Sequence, residues 1–145
     1  MHSFLRSVSL LVAASLFVPN AAADESAESL VKQALALAER GPDAKAVELL
    51  MQAIERDPKL SIARYFRGRE NFRLGRVKES LADFDAYVKL EPQLESRQWE
   101  RGIACFYAGE FERGAKQFEL YQTYHDQDVE NSTWRYLCLV PTVGV

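Results

Sequence analysis

Three consecutive stretches of the chain, residues 27–60, 61–94 and 95–128, align without a gap, each 34 residues long. The eighth place of this register holds Ala34, Gly68 and Gly102, and the fifteenth holds Gly41, Gly75 and Gly109. The twentieth holds Ala46, Ser80 and Gly114, and the twenty-fourth Leu50, Phe84 and Phe118. The thirty-second holds Pro58, Pro92 and Asp126. A period of this length is the signature of stacked supersecondary units, none of which can bury its apolar face alone.

Within each unit the apolar residues recur at intervals of three and four, as in Leu30, Ala34, Leu37 and again in Val47, Leu50, Ile54. That spacing predicts two amphipathic helices per repeat. The fifteenth-place glycine falls in the turn between them, where positive φ costs glycine least. Pro42 is expected in the first turn of the helix that follows, where its missing N–H does no harm. The small residues at the eighth and twentieth places let paired helices approach closely. Pro58 and Pro92 end the second helices, since a proline further inside would clash with the preceding turn. With 7 Gly and 5 Pro, the chain is too poor in both for a loop-rich β fold or a disordered polymer.

This arrangement of small and large places resembles the tetratricopeptide-repeat family over residues 27–128. It departs from the family at the twenty-seventh place, where Ala53 is followed by Tyr87 and Tyr121, and at Asp126, where the closing proline is absent. The resemblance implies an all-α helix-turn-helix solenoid: three hairpins and a C-terminal capping helix within a repeat domain of residues 24–140. The capping helix is expected over 129–140, with Asp128 as its N-cap and Trp134, Leu137 and Cys138 on its apolar face. Pro141 stops it, and 141–145 is an apolar tail.

By the same resemblance, the first helix of each hairpin lines a concave groove with its second, fifth, ninth, twelfth and thirteenth places. In the first repeat these are Glu28, Val31, Leu35, Ala38 and Glu39; in the second, Ile62, Tyr65, Arg69, Phe72 and Arg73; in the third, Ser96, Trp99, Ile103, Phe106 and Tyr107. Thr133 and Leu137 extend the row. Tyr65, Arg69, Phe72, Arg73, Trp99, Ile103, Phe106 and Tyr107 are the candidate partner-binding residues, because aromatics and arginine dominate binding hot spots. Arg69 and Arg73 share a helix face and suit a carboxylate or an acidic peptide. The Lys, Asn and Arg clamp of the chaperone-binding members is absent: Val31, Leu35, Phe66, Ile103 and Tyr107 stand in its places.

Residues 1–23 read as a secretory signal. Arg6 supplies the positive charge, residues 7–18 an uncharged apolar run, and Ala21-Ala22-Ala23 the small residues before cleavage. A run of that length falls short of the roughly 20 residues a bilayer span needs. The expected product is periplasmic or secreted, cut after Ala23, with no stable membrane insertion.

A net charge of -3 gives no electrostatic footprint for nucleic acid. No catalytic constellation, cofactor or metal is expected. Cys105 and His125 do not make a nucleophilic dyad, as Cys105 falls mid-helix and His125 near a helix end. Ser29-Leu30-Val31-Lys32 matches an acyl-enzyme motif only by chance, and Asp126, Asp128 and Glu130 lack the glycine and distal glutamate of a calcium loop. Cys105 and Cys138 are expected as two buried thiols, with a bond between them in an oxidising compartment as the alternative. The function these features imply is an exported scaffold, not an enzyme, that binds a protein or peptide. The alternatives are a repeat protein that self-assembles through its C-terminal helix and a non-catalytic adaptor subunit of an envelope enzyme.

Overall fold

The computed structural model describes residues 25–142; the signal at 1–23 and the end of the tail at 143–145 lie outside them. The described residues form helices and turns, with no strand among them. The helices are α1 (Ala27–Ala38), α2 (Ala44–Arg56), α3 (Ser61–Arg73), α4 (Val77–Leu90), α5 (Trp99–Tyr107), α6 (Phe111–Gln122) and α7 (Val129–Leu139). Each helix packs on the next in chain order, α1 also touches α3, and α5 touches α7. This is a linear stack of hairpins, α1–α2, α3–α4 and α5–α6, with α7 laid on α6.

Local chemistry sets the helix ends. Ser26 caps α1, accepting from the Ser29 N–H (3.2 Å). Asp43 caps α2, accepting from Lys45 N–H (2.7 Å), and Asp128 caps α7, accepting from Glu130 N–H (3.0 Å) and Asn131 N–H (3.2 Å). Each such cap is worth about 1 kcal/mol. The second and third hairpins turn through the fifteenth-place glycine in left-handed geometry, Gly75 at φ 74° and Gly109 at φ 78°. There the Arg76 N–H donates to Asn71 O and the Glu110 N–H to Cys105 O, both at 2.8 Å, closing the last turns of α3 and α5.

Two expectations about helix starts need correction. Pro42 precedes α2 and does not sit in its first turn, because the Asp43 cap moves the start to Ala44. In the third repeat, Pro92–Arg97 is a 3₁₀ helix and α5 begins only at Trp99, so Ser96 leaves the groove helix. The side chains around it hold that turn in place. Gln117 Nε2 donates to the Glu95 carbonyl (2.9 Å), and Arg101 donates to Gln117 Oε1 (2.7 Å) and to Glu95 Oε1 (3.0 Å).

The core runs along the stack in three clusters. The first gathers Leu30, Ala34, Leu50 and Ala53; the second Leu81, Phe84, Ala104 and Cys105; the third Ala115, Phe118 and Cys138. The eighth-place glycines lie at helix–helix seams. A Cβ on Gly68 would stand 3.1 Å from the Phe84 ring, and one on Gly102 would stand 2.7 Å from the Phe118 ring. Both cysteines are free and buried.

Candidate functional site

The first-helix rows of the second and third hairpins face each other across a pocket of about 180 Å³. Its walls are Arg69, Phe72 and Arg73 from α3, Phe84 from α4, and Trp99, Glu100 and Ile103 from α5. Helical spacing explains the set: places nine, twelve and thirteen of one repeat meet places five and nine of the next. Arg69, Phe72, Arg73, Trp99 and Ile103 were legible from that register, whereas Phe84 and Glu100 were not. Phe84 reaches the pocket because Gly68 leaves the ring room, and Glu100 because the seam between hairpins exposes a sixth-place residue.

Charge in the pocket is largely paired. Glu100 Oε1 lies 3.2 Å from Arg69 Nε, and Glu100 Oε2 accepts from the Tyr65 hydroxyl (2.8 Å). Burial raises the Glu100 carboxyl above its ordinary value, with the Tyr65 hydrogen bond and Arg69 opposing. Burial, with Glu100 adding to it, also holds the Tyr65 phenol protonated well above the usual range. Arg73 donates to Glu70 Oε1 (2.7 Å) and to the Ala38 carbonyl at the end of α1 (3.1 Å). That contact closes α1 as well as facing the pocket.

The remaining sequence candidates sit elsewhere. Tyr65 lies behind the pocket against Tyr87 (ring centroids 5.3 Å apart) and acts as a brace from α3 to α4 and α5. Tyr107 is exposed at the pocket's edge, its ring against Phe72 at 5.6 Å. Phe106 turns the other way, packing edge-on against Trp134 of α7 at 5.5 Å. In the first repeat, Val31 is only 7% exposed and belongs to the core, and Leu35 packs against the same cluster. Thr133 is tied to its own helix through the Val129 carbonyl (2.9 Å).

The reactive side chains are kept apart from one another's chemistry. Cys105 is buried with Leu81 and Phe84, and burial pushes its thiol up to about 11. His125 is exposed and stacks on the Tyr121 ring. The Ser29 hydroxyl donates to Glu25, while Lys32 points to solvent. Among the described residues no cluster of His, Cys, Asp and Glu could hold a metal ion, and no helix is long and apolar enough to cross a membrane.

A stack of helix hairpins with a lined seam between neighbours defines the class of architecture, a repeat solenoid. Comparison with solved structures specifies it further as the tetratricopeptide-repeat fold. The first such domain of Spaghetti (RPAP3), solved with the HSP90 peptide SRMEEVD bound, superposes with a TM-score of 0.73 at 18% identity, over 82% of this chain and 94% of that one. The corresponding domain of Sgt2 from Aspergillus fumigatus gives 0.67 at 18% identity over 80% and 78%. MamA from Desulfovibrio magneticus RS-1 gives 0.72 at 19% identity over 81% of this chain, which spans 66% of that one. No protein-family model matches the sequence, and no curated protein matches it.

Proposed function

We propose that the protein is a non-catalytic scaffold that holds a peptide, or an extended segment of a partner protein, across α3 and α5. One apolar side chain of the guest seats between Phe72, Trp99 and Ile103. The observation that carries this reading is the pocket itself, in which an indole 39% exposed and two further apolar walls stand beside two guanidinium groups. That is the composition binding hot spots favour. The Spaghetti domain, of the same fold, holds a peptide, which supports the same use here. An acidic group on the guest would meet the arginine donors left over from Glu100, Glu70 and Ala38, with Glu100 as its competitor.

The test is affinity for a peptide selected from a random library on the folded protein. Phe72→Ala and Trp99→Ala are each expected to weaken binding by about 2 kcal/mol, the hot-spot scale. Glu100→Gln should strengthen acidic peptides severalfold, by freeing Arg69 while keeping an acceptor for Tyr65. Unchanged affinity in both alanine variants overturns the assignment.

The reading includes export. Residues 1–23 carry the signal pattern, and N-terminal sequencing of the protein from an expressing bacterial host should begin at Asp24. An adaptor subunit of an envelope enzyme is one form such a scaffold takes. Self-association through α7 is a second reading, favoured by the exposure of Val129 (79%) and Tyr136 (66%) on that helix. Against it, Tyr136 occupies the eighth place, where Ala34, Gly68 and Gly102 admit a second helix, so no close pairing of the repeat type can form there. Light scattering that shows a dimer lost on Tyr136→Lys would favour the second reading.

A further inference from the structure

Trp99 borders two pockets. On the side away from Arg69 and Arg73 lies a space of about 250 Å³ lined by Trp99, Tyr121, Asp128, Glu130, Asn131 and Trp134. We propose that this second pocket is a cation site, which takes the guanidinium or ammonium head of an Arg or Lys side chain. The proposal extends the groove reading, and rests on it in taking that side chain to belong to the same guest.

The lining carries the argument. Three aromatic rings, Trp99, Tyr121 and Trp134, line it, and a cation is attracted by the ring quadrupole, most strongly by indole. Both tryptophans of the chain are among them. Two carboxylates border the pocket, and no Lys or Arg does. Glu130 is exposed and enters no ion pair among the described residues. Asn131 is 5% exposed; its amide nitrogen donates to Asp128, and its oxygen has no donor. The Asn131 oxygen and the Glu130 carboxylate are thus acceptors left for N–H groups, whereas both oxygens of Asp128 are taken up by the start of α7.

Helix capping accounts for part of this arrangement and leaves part unexplained. Asp128 caps α7, and an acid in the first turn complements the helix dipole. That dipole amounts to about half a positive charge, against two carboxylates, so the pocket stays negative. Capping does not call for an indole left 39% exposed with no ring partner among the described residues. Trp134 is fixed in contrast, edge-on to Phe106 at 5.5 Å and stacked on Phe118 at 6.4 Å. One wall is rigid and the other open. The groove as a whole becomes bipolar, with arginines on one side of Trp99 and carboxylates on the other.

The two indole N–H resonances report on the pocket directly, since the chain has no other tryptophan. The experiment is an NMR titration of the folded protein with N-acetyl-arginine amide, and in parallel with the neutral N-acetyl-citrulline amide. Both indole signals should move saturably with the arginine derivative, and at least about tenfold less tightly with citrulline, the scale of a desolvated cation–π contact plus a carboxylate. Glu130→Gln, at an exposed position, should weaken arginine binding severalfold with the circular dichroism unchanged. Trp99→Leu should weaken it as well. Phe72→Ala should leave this titration untouched while weakening the selected peptide, so the two sites fail separately. Equal binding of citrulline, no saturable shift of the indoles, or full affinity in Glu130→Gln overturns the cation assignment.

Discussion

The first and third hairpins answer the same packing problem with different residues. In the first, the eighth and twenty-fourth places are Ala34 and Leu50, both fully buried in one aliphatic cluster. In the third they are Gly102 and Phe118, with the ring 2.7 Å from where a Cβ would stand. The second hairpin repeats the latter solution more loosely, Gly68 under Phe84 at 3.1 Å. Where the second helix brings a ring, the first helix gives up its methyl group; where it brings a leucine, the methyl returns. The repeat register thus specifies a combined volume for two places, as close packing requires. The third hairpin is also the more crowded. A Cβ on Gly114 would stand 2.8 Å from Cys138 Sγ and 3.3 Å from the Gly102 carbonyl, where α5, α6 and α7 meet.

The largest test of this comparison removes the ring. Phe118→Ala should cost about 3–5 kcal/mol in denaturant unfolding, from lost transfer energy plus the cavity left at a seam that glycine cannot refill. A loss below about 1 kcal/mol would mean the seam collapses freely, and the volume rule would fall.

Next in size is the added methyl. Gly102→Ala gains about 1 kcal/mol of helix propensity, yet must displace a fully buried ring, with a net loss of about 1–2 kcal/mol. Adding Phe118→Leu recreates the first hairpin's pair and should recover part of that loss, a coupling of about 0.5–3 kcal/mol in the double-mutant cycle. Strict additivity would show that the two places do not exchange volume. Gly68→Ala, at a contact of 3.1 Å, should come out smaller than Gly102→Ala.

The smallest effect is a titration that the first hairpin cannot show, because it has no cysteine. Burial holds the Cys105 thiol up at about 11, above the roughly 8.5 of an unfolded chain. Between those values the unfolded state releases a proton that the folded state keeps, so stability declines as pH rises through the window and is whole below it. A mild fall in denaturation midpoint from pH 8 to 10, reduced by Cys105→Ala to the share left by Cys138, whose thiol burial also raises, is the expected record. Native-state alkylation of Cys105 and Cys138 should be slow at pH 8 and fast on unfolding, Cys105 reporting opening of the second cluster and Cys138 of the third.

Helices and turns were readable in advance because each rests on residues close in the chain. Gly75 and Gly109 specify their turns locally, and Asp128 specifies the start of α7. The second-pocket wall was not readable, since Trp99 of α5, Tyr121 of α6, and Glu130 and Trp134 of α7 meet only where α7 settles on α6. Val31 illustrates the same limit. Its place in the register matches Tyr65 and Trp99, but Phe66 of α3 packs onto the first cluster and Val31 joins the core there.

Periodicity alone determined that this chain is a stack of helical hairpins and where each turns, because those properties follow from spacing along one strand of backbone; which helix faces line a shared wall was only what the family resemblance implied. Tertiary structure decided how deep that wall is at each repeat and which charges are already engaged. Glu100 beside Arg69, and Arg73 on the Ala38 carbonyl, are meetings between helices whose separation is set by the side chains in the seam. A seam of Gly and Phe and a seam of Ala and Leu share one pattern of letters, but only their packing shows which ring stands over which glycine.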